Sequence, residues 1–204
     1  MSLAETAATE TARQAMPLVK TLQVLVDLRQ QDQIVTTSMG SAREWPKLSD
    51  HPLDFHYIPS TMGGGPPLGL GFALAQPARE VMVICGDGSL LMNLGCLVTI
   101  IGSGATNLSI VLIDNGVYEI TGGQKTAAIP GKTDFAMMAR AAGFTSVGRF
   151  SQLDQWQQAA KEFLQQPGPR FVWLEVEPVR EDYFLDPPGP LHERLEMFRQ
   201  ALAA

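Results

Sequence analysis

Two short clusters in this sequence combine the residue types needed to bind a phosphate together with a cation. The first is Gly86-Asp87-Gly88-Ser89, and the second is Asp114-Asn115-Gly116. Glycines let the backbone approach a ligand closely, and the first turn of a following helix offers free N–H groups, so the first cluster is typical of a phosphate site. The hydroxyl of Ser89 could add a donor. The carboxylate of Asp87 would repel a phosphate unless a hard cation such as Mg²⁺ or Ca²⁺ lay between the two.

Each cluster also has a simpler explanation when it is taken alone. Gly-Asp-Gly alone indicates a strand-to-helix turn with Asp87 as the helix cap, and Asp-Asn-Gly alone indicates a hairpin turn. The pair is more specific, because Asn115 lies 28 residues after Asp87, at the end of the next predicted strand. The ends of adjacent parallel strands lie about 5 Å apart, so both side chains and the carbonyl of Val117 could share one cation.

Short apolar strands alternate with helical patterns along the chain. The β-branched and apolar runs predict strands at 34–37, 81–85, 108–113, 145–147 and 171–176. Helical patterns cover 14–30, 68–75, 89–101, 134–142, a segment that starts at Ser151 as its N-cap and ends before Pro167, and 191–202. The alternation predicts an α/β fold, a doubly wound parallel sheet with helices on both faces. Both polar clusters then lie at the carboxyl ends of strands, where such sheets bind ligands.

Two further segments carry a structural expectation. Residues 41–60 contain three prolines and little periodicity, which predicts a long loop of the kind that often serves function. The glycines before and within 68–75 predict a helix that packs very closely against a neighbour. His51 and His56 are assigned no catalytic role, because isolated histidines are usually structural or solvent-exposed.

Composition limits the classes of protein to which the chain could belong. It has 204 residues, a formal net charge of −6 and a pI near 5.0, which fit one globular domain over 13–204 after a disordered segment 1–12. We expect no nucleic-acid partner, no membrane span and no signal peptide, and therefore a cytoplasmic location. Cys85 and Cys96 are interpreted as reduced core residues. Without a Gly-x-Gly-x-x-Gly turn or a Walker A motif, dinucleotide and NTP binding are disfavoured.

The two clusters and their flanking residues resemble a known family. Gly-Asp-Gly followed by Asn after a little under thirty residues is similar to the thiamine-diphosphate signature. More narrowly, the phosphonopyruvate and sulfopyruvate decarboxylases resemble this chain over 86–95 (GDGSLLMNLG) and 112–124 (LIDNGVYEITGGQ). Similar residues also fall at Thr36-Thr37, Arg43-Glu44 and Thr61-Met62-Gly63. The similarity covers the chain from about residue 14 to residue 178.

The resemblance implies a ThDP-binding fold of the diphosphate-binding type, with thiamine diphosphate (ThDP) and Mg²⁺ as cofactors. Asp87, Asn115 and the Val117 carbonyl would bind the metal ion. The diphosphate would be held by Gly88 and Ser89, with help from the loop at Thr37–Gly40. The residues implied to contact the cofactor are Thr37, Ser38, Ser60, Thr61, Met62, Gly86, Gly88, Ser89, Val117, Tyr118 and Thr121.

Two of these assignments have an alternative. Met62 falls where such enzymes place a bulky apolar residue under the cofactor, which forces its bent conformation; without its context it would be an ordinary core methionine. Residues 121–124 would lie beside the site, or form a glycine-rich loop that makes no contact with it. The sequence departs from the family at Ser60–Gly63, where Ser-Thr-Met-Gly replaces Gly-Ser-Met-Gly, and departs more strongly over 38–59.

The resemblance also implies a partner. Thiamine chemistry needs a carboxylic acid beside the pyrimidine N1′, and in this superfamily that Glu belongs to a separate pyrimidine-binding domain, for which the chain has no room before residue 30. We therefore expect the diphosphate-binding subunit of a split 2-oxo-acid decarboxylase. Its catalytic Glu would come from a pyrimidine-domain (alpha-type) subunit, in a homodimer or higher hetero-oligomer. The alternatives are a carboligase subunit of the acetolactate synthase type, a non-catalytic ThDP-binding scaffold, and an α/β domain for another phosphorylated ligand.

Overall fold

Eight strands and eight α-helices make up the part of the protein described by a computed structural model, which covers residues 15–179 and 189–203. The strands are β1 (Ile34–Thr37), β2 (Asp54–His56), β3 (Val81–Gly86), β4 (Leu108–Asp114), β5 (Val117–Tyr118), β6 (Gln124–Lys125), β7 (Ser146–Phe150) and β8 (Arg170–Glu175). The helices are α1 (Leu18–Asp27), α2 (Gly40–Glu44), α3 (Gly65–Ala75), α4 (Asp87–Leu91), α5 (Cys96–Ser103), α6 (Phe135–Ala142), α7 (Leu153–Leu164) and α8 (Leu191–Ala203).

Six of the strands form one sheet in the order β2-β1-β3-β4-β8-β7, and every neighbouring pair is parallel. From β1 the chain moves to one edge at β2 and then to the other side of β1 with β3 and β4, as in doubly wound folds. A small antiparallel hairpin of β5 and β6 follows β4. The predicted fold class is confirmed.

Apolar side chains cover both faces of this sheet. Alternate residues of each strand point to opposite faces, so that Val83 and Cys85 of β3 join one cluster with α3, α5 and α6, while Met82 and Ile84 join the other with α1 and α7. The strands at the centre of the sheet are buried along nearly their whole length. Burial on both faces explains why they read as continuous apolar runs instead of alternating patterns.

Helix α3 packs directly on the sheet, as its glycines predicted. A Cβ atom at Gly69 would lie 2.0 Å from Val83 Cγ2 of β3, closer than any side chain tolerates. The helix also begins earlier than the predicted 68–75, because Pro66 and Pro67 occupy its first turn, where no helical N–H is needed.

The prediction of a long loop with short turns over 41–60 is wrong, because regular elements lie in this segment. Helix α2, a 3₁₀ turn at Trp45–Lys47 and the edge strand β2 all lie in this segment. Strand β2 has three residues and pairs with β1 alone. So short an element between prolines leaves no periodicity for sequence analysis to detect.

Two predictions about helices also need correction. The predicted helix over 89–101 is two helices, α4 and α5, separated at 92–95, where Asn93 donates a hydrogen bond from Nδ2 to Gly63 O (3.1 Å). Both halves are apolar, so their composition does not mark the break. The N-cap of α7 is Gln152 and not Ser151, because helix boundaries shift by a residue without changing the pattern.

Three further predictions concern the N-terminal segment, membrane spans and the cysteines. The predicted disordered segment 1–12 lies outside the described residues. Within the described ranges, no helix has the length and apolar character that crossing a bilayer requires. Both cysteines are free and buried, as expected of core residues.

Candidate functional site

The register of the sheet brings the two polar clusters together at its carboxyl edge. Strands β3 and β4 are neighbours, and Gly86 lies opposite Ile113. The next residue on each side is an aspartate: Asp87, which begins α4, and Asp114, which ends β4. Asn115 follows immediately, so the spacing argument that paired Asp87 with Asn115 agrees with the observed topology.

Asp87 is a buried carboxylate with its own donor. Its exposed fraction is 1%, and Thr126 Oγ1 donates a hydrogen bond of 2.9 Å to its Oδ2 atom. Burial, together with the nearby charge of Asp114, raises the pKa of Asp87 to about 7. A divalent cation bound at Asp87 would stabilise the charged carboxylate and so offset both effects. Thr126 was not predicted, because a single threonine in a polar loop carries no recognisable signal.

Asp114 and Asn115 are held by local hydrogen bonds. Asp114 accepts from Trp173 Nε1 (2.8 Å) and from the Gly116 amide (3.1 Å), so its carboxylate is engaged inside the protein. The Asn115 Oδ1 atom accepts from the Val117 amide at 3.0 Å. This turn fixes the conformation of 115–117 and leads directly into the β5–β6 hairpin. The hairpin's own turn lies at 119–123, so Asp-Asn-Gly is not that turn.

The ring of Tyr118 occupies the space that a side chain at residue 88 would need, so only glycine fits there. A Cβ atom at residue 88 would lie 2.4 Å from Tyr118 Cε1 and 3.2 Å from Thr126 Cγ2. The ring of Tyr118 therefore packs flush against the first turn of α4. This contact holds the hairpin beside the two strand ends.

A partly open cleft lies at this edge of the sheet. Nine of its lining residues belong to the predicted site, two of them through the predicted loop at Thr37–Gly40. The nine are Met39, Gly40, Met62, Gly88, Ser89, Asn115, Val117, Tyr118 and Thr121. The two further lining residues, Glu119 and Ile120, belong to the segment that carries the family resemblance.

The remaining predicted residues lie around the cleft and not on its wall. Thr37 is buried, with its Oγ1 atom 3.0 Å from His56 Nδ1, and the Ser38 amide donates to Ile84 O (3.1 Å). Ser60 donates from Oγ to Met39 Sδ at 3.7 Å, and Thr61 is exposed. Gly86 ends β3.

One hydrogen bond joins the loop that carries Met62 to the helix that carries Ser89. The Gly63 amide donates to Ser89 Oγ at 2.9 Å, and this contact is buried. The bond fixes the two walls of the cleft relative to each other. The roles assigned to the site residues stay predictions, whereas their arrangement around one cleft is observed.

The available ligand atoms suit a hard cation with a diphosphate. Asp87 and Asn115 offer oxygen atoms, the ligand type that Mg²⁺ prefers, and a cation there would keep coordination positions open for phosphate oxygens. Within residues 15–179 and 189–203, no three His, Cys, Asp or Glu side chains converge as a ready-made metal cage. The donor set therefore fits a metal ion held jointly by the protein and a phosphorylated cofactor.

Known proteins share this fold and these sequence features. Residues 35–174 match the family described as "Thiamine pyrophosphate enzyme, C-terminal TPP binding domain". A solved structure of a candidate thiamin diphosphate-dependent enzyme from Mycobacterium smegmatis superposes with a TM-score of 0.67, at 21% identity, over 80% of this chain and 32% of that one. At that identity the likeness shows the fold.

Two curated relatives are more similar in sequence. The phosphonopyruvate decarboxylase of Streptomyces viridochromogenes is 37% identical over 155 residues, which are 76% of this chain and 38% of that protein. The sulfopyruvate decarboxylase subunit beta of Methanothermobacter thermautotrophicus is 39% identical over 153 residues, 74% of this chain and 78% of that subunit. The chain thus spans well under half of the first relative and most of the second. The match over residues 35–174 shows that the protein belongs to the thiamine pyrophosphate enzyme family, as a C-terminal domain of the kind that binds thiamine diphosphate.

Proposed function

We propose that this chain is the diphosphate- and Mg²⁺-binding subunit of a split, ThDP-dependent 2-oxo-acid decarboxylase. A second subunit with a pyrimidine-binding domain completes each active site. The observation that carries the proposal is the likeness to a separate beta subunit of a decarboxylase over 78% of that subunit's length. The cleft at the ends of β3 and β4 supports it.

Different residues around the cleft hold different parts of the cofactor. Asp87, Asn115 and the Val117 carbonyl would hold Mg²⁺, which would supply positive charge for the diphosphate. Gly88 and Ser89 lie at the start of α4, where backbone and hydroxyl donors meet the diphosphate. Met62 lines the cleft and would supply an apolar surface for the cofactor. When bound, ThDP supplies the nucleophilic carbon and the electron sink, while this chain anchors and orients it.

The catalytic acid comes from the other subunit. The site residues proposed for this chain bind the cofactor, and none of them is assigned the role of the Glu beside the pyrimidine N1′. The partner's pyrimidine domain supplies that Glu, so the active site lies between chains. A small 2-oxo acid such as phosphonopyruvate or sulfopyruvate is the class of substrate that the relatives' names suggest.

Cofactor binding is tested by thermal unfolding of the chain with Mg²⁺ alone, with ThDP alone and with both. A ligand at a hundred times its Kd stabilises by about 2.7 kcal/mol, which raises the midpoint by about 5–10 °C for a chain of this size. The shift should need both ligands and should vanish in Asp87→Ala. Asp154→Ala, which removes an exposed aspartate from α7, is the matched control. A shift that survives in Asp87→Ala contradicts the metal assignment.

Decarboxylation is tested on the reconstituted enzyme. Co-expression with a pyrimidine-domain subunit should yield CO₂ release from a 2-oxo acid, with Asp87→Ala inactive and Asp154→Ala active. An assembled complex that binds ThDP but releases no CO₂ from any 2-oxo acid tried would exclude this class of reaction. Analysis of products by NMR separates decarboxylation from carboligation, which the likeness to acetolactate synthase isozyme 1 of Escherichia coli at 29% identity keeps as the second candidate.

A further inference from the structure

Helix α8 is anchored at three points on the side of the sheet that ends in β2. Near its start, Arg194 reaches the segment after β2. In its middle, Phe198 is 4% exposed and packs between Phe55 and Phe72, with ring centroids 5.1 and 5.3 Å apart. At its end, Arg79 Nη1 donates to Leu202 O at 3.0 Å. The helix lies beyond residue 174, where the family match ends.

The guanidinium of Arg194 bridges two backbone carbonyls, one at the end of β2 and one in the loop that follows it. Its Nη1 atom donates to His56 O at 2.7 Å, its Nη2 atom donates to Ile58 O, and its Nε atom donates to Gly189 O at 3.2 Å. The fixed fork of a guanidinium can span two acceptors at once, which the single ammonium of a lysine does not reproduce. Arg194 therefore holds the chain at residues 56–58 in one conformation.

That loop leads directly into the cleft. On one side, the Tyr57 amide donates to Thr37 O (2.9 Å), which ties the loop to β1. On the other side, the chain continues through Ser60, whose hydroxyl donates to Met39 Sδ, to Met62 on the cleft wall. The Thr61 amide donates to the Tyr57 hydroxyl at 3.3 Å. The position of Ser60–Met62 thus depends on where 56–58 are held.

We propose that Arg194 is a positioning residue for the cofactor loop, the segment 57–62. Through its two carbonyl contacts, α8 sets the place of Ser60, Thr61 and Met62, and so the affinity of the cleft for ThDP. The effect on ThDP rests on the proposed function; the effect on the loop does not. A helix outside the matched region thereby contributes to a site that it does not touch.

The test compares Arg194→Gln, Arg194→Lys and a control on the same helix. The control is Arg199→Gln, because Arg199 is exposed and pairs with Glu196 one turn away. The first readout is amide hydrogen exchange of the cofactor-free chain. We expect exchange in a peptide covering 57–64 to speed up about tenfold in Arg194→Gln, less in Arg194→Lys, and not at all in Arg199→Gln, while peptides of β3 and β4 stay unchanged. Unchanged exchange at 57–64, or equal acceleration in β3 and β4, overturns the proposal.

The second readout is the Kd for ThDP at saturating Mg²⁺, measured by calorimetry on the chain with its partner subunit. We expect Arg194→Gln to weaken ThDP binding about tenfold, Arg194→Lys to recover part of the loss, and Arg199→Gln to match the wild type. Faster exchange at 57–64 with an unchanged Kd would contradict the proposed effect of Arg194 on ThDP affinity. If the wild type binds no ThDP, the proposed function has failed, and hydrogen exchange alone decides whether Arg194 positions the loop. If Arg194→Gln does not fold, the same comparisons are made with Arg194→Lys.

Discussion

Tyr118 leaves no room for a side chain at residue 88. We expect Gly88→Ala to destabilise the protein by about 1–3 kcal/mol, because the new methyl group must displace a packed ring or the first turn of α4. Gly102→Ala is the matched control, since a methyl group there meets nothing within 4 Å in the last turn of α5 and should stabilise by about 0.5–1 kcal/mol. Urea unfolding measures both. Equal effects of the two substitutions would mean that Tyr118 moves aside without cost.

The buried carboxylate of Asp87 should make the metal-free chain less stable at high pH. Burial and Asp114 raise its pKa from 3.8 to about 7, so the folded chain binds more protons than the unfolded chain between these values. Stability therefore falls as the pH rises from about 4 to about 7, and the full penalty, of the order of 2–4 kcal/mol, is present above pH 7. Asp87→Asn should be more stable than the wild type at pH 8 and nearly equal to it at pH 4.

Urea unfolding at a series of pH values checks this, with Asp154→Asn as the control at an exposed position. The same pH dependence in Asp87→Asn and in the wild type would show that other groups cause it. If the penalty is confirmed, the metal ligand is maintained at a cost in stability, as residues selected for function often are.

At the scale of single residues, the site residues that could be predicted are those whose spacing follows the strands. Asp87 and Asn115 were paired because each follows a strand, and the structure places those strands side by side. Thr126, which donates to Asp87, was missed. It belongs to a loop whose course depends on tertiary contacts, and no local pattern records such contacts.

At the scale of elements, the C-terminal end of α3 and the residues after it are held by the side-chain amide of Asn107, which directly precedes β4. Asn107 Nδ2 lies 3.1 Å from Ala73 O, 3.1 Å from Gln76 O and 2.7 Å from Arg79 O. We expect Asn107→Ala to destabilise the protein by about 1–3 kcal/mol, because these carbonyls lose a partly buried donor. The neighbouring Thr106→Ala, at an exposed side chain, should change stability by less than about 0.5 kcal/mol. Thermal unfolding distinguishes the two; comparable losses would contradict a capping role for Asn107.

The elements that sequence analysis misplaced share one cause. Strand β2 and helix α2 are short, and the division of 89–101 into α4 and α5 changes neither composition nor polarity. These features are set by contacts with distant segments, such as the bond from Asn93 to Gly63. The long buried strands β3, β4 and β8 were predicted because a short run of apolar and β-branched residues is a local property of the sequence.

For the whole molecule, the alternation of strands and helices was enough to predict a doubly wound sheet. The order of its strands was not predicted, because order depends on which crossovers pass over which face. The single domain over 13–204 also stays a prediction.

The same topology limits when, during folding, the cofactor can bind. The cleft is built from the ends of β1, β3 and β4 and from residue 62, and β4 is completed only by pairing with β8, whose Arg170 lies opposite Ser109, 61 positions earlier in the chain. Contacts so distant in sequence form slowly. We therefore expect the site to form late in folding, so that the ligand binds after the sheet has formed.

Stopped-flow kinetics makes this order visible. If the site forms after the transition state, Mg²⁺ with ThDP should slow unfolding by about the factor by which it raises stability, and should leave the refolding rate unchanged. Refolding accelerated by the ligands would reveal a site formed early. A newly synthesised chain would therefore complete its sheet without the vitamin, and a shortage of thiamine would shorten the lifetime of the folded subunit without reducing the yield of its folding.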